Sequence, residues 1–530
     1  MQKKLIYCSL LSAGLLILGS GCEKNFLDIN NNPNAPAQAD PALVFTNALT
    51  QTAYIVSVDY LYMNGTQNYY GNSVRAAPPG PNNSNNFTST DFVTSWTDNY
   101  HNLNDYAFIE QSGVAANKWF LVGAAKIMKA LNFQMLVDTY NDVPYTEALQ
   151  LGKNILTPKY DKAQDVYNAC IQQLDSAVDI LENTTLISEY NPGNADVMFK
   201  GDATMWIKFG NTLKLRMLLH EIGVSSQQST IQAEMQKIAS DPTGLLGPGE
   251  SAMVNPGYAT DAATHLNPLY SHIGYSITGA AALVGAAGNS YFIDKLNGYN
   301  DTRLGYFYGT NVAGMIEGNP LGAGGNSAAS YFGGPLNKLN ANNNLPFNFK
   351  PPIGFSGTIP KTWGILPSPS QSSIILSSWE SLFLQAEAVQ RGLLPGNAGD
   401  LYAEAITDNF IYLNVFTDGK TFNAHPKDWA AAYLSQNIAN VGWQASSANP
   451  LQAILIQKYI SLCITDPLES WTDYRRTGYP KDLPFSASSS RLYDYPYRFI
   501  YPQSEYNTNS KNVAAEGAIT PISPKIFWMP

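Results

Sequence analysis

The chain has 530 residues, 14% charged and 12% aromatic, with 32 tyrosines and a formal net charge of -10. A surface acidic and poor in Lys and Arg argues against nucleic acid as a partner, because phosphate binding needs clustered cations. Sparse charge with many Tyr, Asn and Ser residues suits neutral polar ligands, and a chain of this length can bury a core that needs no disulfides.

Lys3 and Lys4 precede an apolar run from Leu5 to Leu18, and the small residues Gly19, Ser20 and Gly21 lead to Cys22. This is the pattern of a secretory signal, too short for a stable membrane span. A cysteine directly after small residues reads as a lipid acceptor. Residues 1–21 are therefore expected to be a lipoprotein signal peptide, Cys22 the lipidated residue, and 22–40, rich in Asn and Pro, a tether. Acyl chains at ~0.8 kcal/mol per buried CH₂ anchor a protein without a membrane helix. Cys8 lies in the signal, whereas Cys170 and Cys463 lie on predicted helix faces and read as small core residues.

Pro41 opens a predicted helix to about Met63. Residues 69–86, YYGNSVRAAPPGPNNSNN, hold too much Pro, Gly and Asn for a packed element. A helix follows over about Phe92–Glu110. The stretch WFLVGAAKIMKALNFQMLVDTYNDV from Trp119 has apolar residues at Phe120, Ala124, Ile127, Met128, Leu131 and Met135, the 3/4 spacing of a buried helix face. Leu121 and Val137 widen that stripe, and Gly123, Ala124, Ala125 and Ala130 let a partner backbone come close. Asn141, Asp142 and Pro144 stop it. Asp161 with Gln164 three residues on reads as a capping box opening the next helix. Its apolar face carries Val166, Tyr167, Cys170, Ile171, Leu174, Val178 and Leu181, so the two make an αα-hairpin.

Further helices are expected at about Asp202–Glu221, Thr230–Ala239, Ser373–Arg391, Asp400–Leu413 and Leu451–Cys463, with a helical turn at Glu469–Tyr474. From Asp241 to Ser370 helical periodicity fades into Gly, Pro, Asn and aromatics, a loop region too long to be idle. The tail after Gly478 reads as Pro/Tyr-rich coil whose apolar end, TPISPKIFWMP, tucks into the body. The expected fold is mainly α and forms a single domain over 41–530. A helix-pair scaffold covers about 41–240 and 371–478, a loop-rich ligand-facing region about 241–370 lies over it, and a C-terminal coil covers 479–530.

Catalytic motifs are missing from the sequence. His220 and Glu221 begin like a zinc-binding H-E-x-x-H, but position 224 is Val224. Gly354 to Gly357 fails the G-x-S-x-G pattern because Thr358 stands where the last glycine belongs. The PLGAGGNS stretch lacks the Lys-Ser/Thr of a phosphate loop. Arg475 and Arg476 with Glu469 and Asp473 read as a local salt-bridge cluster rather than an anion site, and Glu387 as a helix-packing residue. No cofactor or metal is expected, although Asn297, Asn300 and Asp301 offer oxygens for a Ca²⁺ without the spacing of a calcium loop.

The aromatic loops are the better lead. A sugar ring has an apolar C–H face that a flat aromatic covers and a hydroxyl edge that Asn, Asp or Arg can bond. One candidate region holds Tyr69, Tyr70, Asn72, Arg75 and, at the next helix, Trp96. The other holds Tyr291, Tyr299, Asp301, Arg303, Tyr306 and Tyr308, with Tyr331, Phe332 and Trp363 beyond. Trp206 and Trp379, on helix stripes, are expected in the core.

Four stretches, in this order, carry a family resemblance: Cys22 with FLDINNNPN, KWFLVGAAKIMKALNFQMLVDTYNDVPYTEAL, SSWESLFLQAEAVQRGLL, and LIQKYISLCITDPLESWTDYRRTGYP. Together they resemble the SusD/RagB family of nutrient-binding outer-membrane lipoproteins. The resemblance implies TPR-like helix pairs under a loop-rich half. It also implies a lipid-anchored place on the outer membrane, facing outside, and capture of an oligosaccharide or other nutrient for a SusC-like TonB-dependent transporter, without turnover. Trp119, Val122 and Gly123 are similar to the start of a TPR repeat, with Lys126 where that motif prefers tyrosine. The alternatives are a surface-anchored glycan hydrolase and a structural lipoprotein that binds only proteins.

Overall fold

The computed structural model describes residues 39–72, 84–150, 153, 155–278, 282, 286–309, 316–320, 362–421 and 425–530. The signal, Cys22 and the tether lie outside the described residues, as do Arg75, Tyr331 and Phe332.

Helix α1 spans Pro41–Tyr54. The predicted continuation to Met63 does not hold: the backbone loosens into a π turn at Ile55–Asp59 and re-forms only as Met63–Thr66. Asn64 ties the re-formed turn to the body, donating to the Leu61 carbonyl at 2.7 Å and accepting from the Ile464 amide at 3.1 Å. Tyr70–Asn72 form the short strand β1 inside the segment expected to be loop.

Helices α2 (Thr94–Ala115), α3 (Trp119–Tyr140) and α4 (Ala163–Glu182) follow. α1 packs on α2, α2 on α3 and α3 on α4. α3 is long and apolar enough to cross a membrane by length and composition, yet it is the buried core helix of this scaffold. The small residues do the expected work. A Cβ on Gly123 would lie 2.7 Å from Leu181 Cγ, so α3 and α4 approach closely there. Asn141 ends α3 at φ 69° and ψ -112°, its amide still donating to the Val137 carbonyl at 2.8 Å.

The start of α4 differs from expectation. Asp161 does not cap it; its carboxylate accepts from the Tyr145 and Thr146 amides at 3.0 and 2.7 Å and closes the α3–α4 connection. The Ala163 amide is instead taken by Asp142 at 2.9 Å. Helix α5 (Ala203–His220) carries the Asp202 cap, packs on α4, and is followed by α6 (Gln228–Ser240).

The region after Asp241 is less irregular than its composition suggests. It holds β2 (Ala252–Val254), β3 (Ala286–Gly288) and helix α7 (Ser290–Gly298), capped by Asn289. The strand β4 (Ser373–Leu376) then pairs antiparallel with β2. Next come α8 (Ser378–Gln390), capped by Ser377, and α9 (Ala398–Tyr412). An unforeseen α10 (Pro426–Leu434) has proline in its first turn. α11 (Pro450–Ser461) and α12 (Pro467–Thr477) follow, α12 capped by Asp466 and ended by Gly478 in the left-handed conformation, and the tail expected to be coil holds two short helices, Gln503–Thr508 and Ser510–Ala515. α8 packs on α9 and α11, and α9 on α10. Residues Pro41–Pro530 form one compact unit.

The tail returns to the core as expected. Ile526 and Trp528 are buried, and the Trp528 indole donates to Asp138 Oδ1 at 2.9 Å. Cys170 and Cys463 are buried free thiols, as small core residues.

Charged residues line a buried seam between the helices. Arg476 meets Glu387 and Asp473, each at 2.6 Å, and Lys458 meets Glu469 at 2.5 Å and Asp473 at 2.9 Å. The cluster read as local to α12 thus ties α8, α11 and α12 together. His220 sits between Asp138 (3.3 Å) and Glu469 (3.1 Å), a structural ion pair rather than half of a zinc site.

Candidate aromatic ligand face

The two candidate regions meet through their backbones. β1 and β3 pair antiparallel, Tyr70 opposite Gly288 and Asn72 opposite Ala286. Gly288 is required there, because a Cβ would lie 2.8 Å from Ile293 Cδ1 and 3.1 Å from the Tyr308 ring.

Most of the predicted ligand rings point inward from this ladder. The Tyr69 hydroxyl donates to the Tyr459 carbonyl at 2.6 Å, and its ring stacks on Tyr459 at 4.9 Å and meets Phe292 edge-on at 5.1 Å. Burial pushes its phenol well above the usual range. Tyr308 donates to the Tyr69 carbonyl. Tyr70 is buried as well. These side chains leave no ring face for a sugar: their hydroxyls found buried carbonyls, and the rings filled the space between β1 and α11.

Asp301 and Arg303 are also corrected. Both are buried, and the guanidinium holds Asp301 through Nε (3.0 Å) and Nη2 (2.7 Å). It donates further to Asn409 (2.9 Å), Ser461 (2.9 Å) and Gln457 (2.7 Å), between the rings of Phe410 and Tyr433. The pair bolts the turn after α7 to α9 and α11. With its carboxylate committed to Arg303, Asp301 is not available as a calcium ligand. Tyr306 accepts from the Phe416 amide at 2.7 Å and packs edge-on to Trp363, both rings buried.

Trp96 has a different place. It packs on Tyr140 at 5.0 Å and Tyr501 at 5.6 Å, and one side lines a hollow of about 320 Å³ with Tyr100, Asn104, Gln150 and Glu505. An adjoining hollow of about 650 Å³ continues past Ala148 and Leu149 to Phe133 and Lys129.

Tyr291 and Tyr299 stay at the surface. Tyr291 and Lys295 lie four apart on one face of α7, and Tyr299, the residue that ends the helix, follows at the same spacing. Lys295 Nζ lies 4.9 Å from the centre of the Tyr291 ring and 5.9 Å from that of Tyr299. It pairs with Asp482 at 3.0 Å, and the Tyr291 hydroxyl donates to the same carboxylate at 2.9 Å. Burial works against that carboxylate, yet Lys295 and Tyr291 hold it below its ordinary pKa. The Tyr299 hydroxyl accepts from Asn440 at 3.3 Å. Half-buried Tyr479, reached by Asn449 at 3.2 Å, extends the patch one loop further.

This face combines part-exposed rings, a balanced ion pair and amides, the chemistry that grips a ring with hydroxyl edges. Lys295, Asp482 and Tyr479 were not anticipated from the sequence. The four-residue spacing of 291, 295 and 299 was the readable signal. Among the described residues, no group of three or more His, Cys, Asp or Glu side chains could hold a metal ion.

A helix-pair scaffold overlaid by short strands and loops, with an aromatic and polar face, defines the class. The chain belongs to the SusD-like family, whose model, described as starch-binding associating with outer membrane, matches residues 33–502. The fold agrees with solved structures. A SusD/RagB family protein from Bacteroides thetaiotaomicron is 20% identical with TM-score 0.69, covering 93% of this chain and 99% of its own. A SusD homolog from Bacteroides uniformis is 21% identical with TM-score 0.68, covering 93% and 100%. A structure described as a chitin-binding protein is 24% identical with TM-score 0.65, also covering 93% and 100%. No curated protein matches the sequence. The family resemblance read from the four sequence stretches therefore holds.

Proposed function

We propose that this protein is a surface nutrient-binding lipoprotein, anchored through Cys22 to the outer membrane and facing outward. It captures an oligosaccharide without chemical change and delivers it to a SusC-like TonB-dependent transporter. Membership of a starch-binding, outer-membrane-associated family is the observation that carries this reading. The outer face of α7 supplies chemistry to match, with Tyr291 and Tyr299 offering ring surface and Lys295, Asp482 and Asn440 offering hydrogen bonds. A described relative in fold binds chitin, which makes β-linked as well as α-linked glucans and their amino-sugar analogues suitable probes.

Calorimetric titration of the protein with starch-, chitin- and peptide-derived oligomers, with product analysis of each mixture, tests the proposal. Saturable binding of a glycan that is recovered intact is expected. Release of shortened products, lost on replacing a pair of carboxylates, would show a hydrolase instead.

A further inference from the structure

A second concavity lies where the C-terminal coil passes α12. It has a volume of about 740 Å³, within the ~300–1,000 Å³ of small-molecule sites. Phe485 is 48% exposed, Leu492 74% and Ile522 40%, and all three border this one hollow. Apolar groups gathered at one mouth, rather than scattered, mark a binding surface. The hollow neighbours the α7 face. Asp482, which holds Lys295 and Tyr291, stands three residues before Phe485. Tyr474 lines the hollow and also acts on Tyr291, whose phenol is raised first by burial, then by Asp482, and further by Tyr299 and Tyr474.

The polar groups of the lining are of two kinds. Its charges are spent on the protein. Arg475 donates to the carbonyls of Asp138 (2.5 Å), Tyr497 (2.9 Å) and Trp471 (3.2 Å) and to Thr472 Oγ1 (2.9 Å). Arg476 is held by Glu387 and Asp473, and Lys525 donates to the Pro530 carbonyl at 2.5 Å. Asp494, the one lining acid among the described residues, pairs with Arg491 at 2.5 Å. The phenols are not spent. Tyr474, Tyr493 and Tyr497 are half-buried, and their hydroxyls meet no partner among the described residues. Aliphatic groups, rings and open hydroxyls, with every charge neutralised, suit an uncharged ligand that has an apolar part. Flat rings cover the C–H face of a sugar, but branched side chains such as Leu492 and Ile522 offer no flat surface and bury methyl and aryl groups instead.

We propose that this hollow is a subsite for an apolar substituent, an acyl or aryl-acyl ester carried by the neutral glycan that the α7 face grips. Phe485, Leu492 and Ile522 cover the substituent, and the open phenols meet its ester carbonyl. A bare sugar chain, edged by hydroxyls, leaves that aliphatic wall in water. This inference rests on the glycan-binding reading above and adds the decoration of the ligand to it.

The test is titration of the full chain with maltotetraose, cellotetraose and xylotetraose, each bare, O-acetylated and feruloylated. On a backbone that binds, acetylation is expected to tighten binding about fourfold per buried methyl, and the larger feruloyl group to tighten it tenfold or more. Leu492→Glu, at an exposed position, and Phe485→Ala should each remove that advantage. Both should leave affinity for the bare chain unchanged, which shows that the variants are folded. Tyr291→Ala should weaken bare and acylated forms alike and keep their ratio. Equal affinity for bare and acylated forms overturns the inference and leaves the α7 face standing. An advantage that survives both Leu492→Glu and Phe485→Ala overturns it as well. A protein that binds none of these oligomers overturns the inference, and one that binds no saccharide of any class overturns the proposed function with it.

Discussion

Two acid–base pairs are built on the segment from Ser290 to Tyr308, Asp301 with Arg303 wholly within it and Lys295 with Asp482 from the chain after α12, and they lead opposite lives. Asp301 and Arg303 point inward, both side chains fully buried, with partners supplied by α9, α10, α11 and the pair itself. Lys295 and Asp482 meet at the surface, the carboxylate side chain 65% exposed and the Lys295 side chain 9%, covered by the part-exposed rings of Tyr291 and Tyr299. The same residue types therefore build a fastener on one side and a ligand face on the other. The difference is solvent: both inner side chains are sealed from it, whereas the outer carboxylate is open to it.

Removing the inner pair's cation should have the largest effect. Arg303→Ala leaves Asp301 buried without its counter-charge, and a loss of about 3–5 kcal/mol in denaturant unfolding is expected. The double change Arg303→Met with Asp301→Asn should recover part of it. If Arg303→Ala unfolds like the wild type, the contrast between the two faces is broken.

Titration sharpens it. Burial lowers the tendency of His220 to carry charge, but Glu469 and Asp138 overcome this and raise it to about 9. Its contribution is complete below an ordinary histidine pKa near 6.5 and is lost as pH rises through about 9. Glu221, whose carboxyl oxygens meet no donor among the described residues, is raised to about 8, chiefly by burial and further by Asp138, against the pull of His220. Its fold prefers the neutral form, so stability declines from about pH 4.5 to 8. Both slopes run the same way. The melting temperature should fall between pH 6 and 9, and Glu221→Gln should flatten the lower part of that fall. A melting temperature constant over this range would contradict the assignment.

On the outer face, effects move from stability to binding. Tyr291→Ala and Tyr299→Ala should each cost about tenfold in glycan affinity, on the scale of one ring contact at about 0.5–1.5 kcal/mol. Circular dichroism should remain that of the wild type. The smallest effect belongs to Asp482→Asn: an exposed pair is worth about 0–1 kcal/mol, so its melting temperature should barely shift. Binding of a neutral glycan there should vary little with salt, since stacking is not screened.

The helical scaffold was legible because its signals are local. The stripe of α3, its small residues and its stop at Asn141 are written within one stretch of sequence. Helix α7 was hidden because Gly and Asn on both sides mask a stretch only 9 residues long. The capping role of Asp161 failed because Asp142, brought close by the fold, took the Ala163 amide first. For the site, sequence could show that rings and polar groups were abundant in two regions but not which way each pointed. Tyr69 and Arg303 turned inward because their partners, Tyr459, Asn409 and Gln457, arrive from more than 100 residues away. Among the candidates whose side chains are described, only Tyr291 on α7 and Tyr299 at its end remained half-open to solvent, and Trp96 kept one side on a hollow.

The central claim is that the outward side of α7 does the catching. Titrating one saturating glycan into the wild type, Tyr291→Ala/Tyr299→Ala and Tyr69→Phe tests it most directly. The account predicts that the double variant loses about a hundredfold in affinity while Tyr69→Phe, a change confined to the interior, binds like the wild type. Equal affinity for the wild type and the double variant would contradict it.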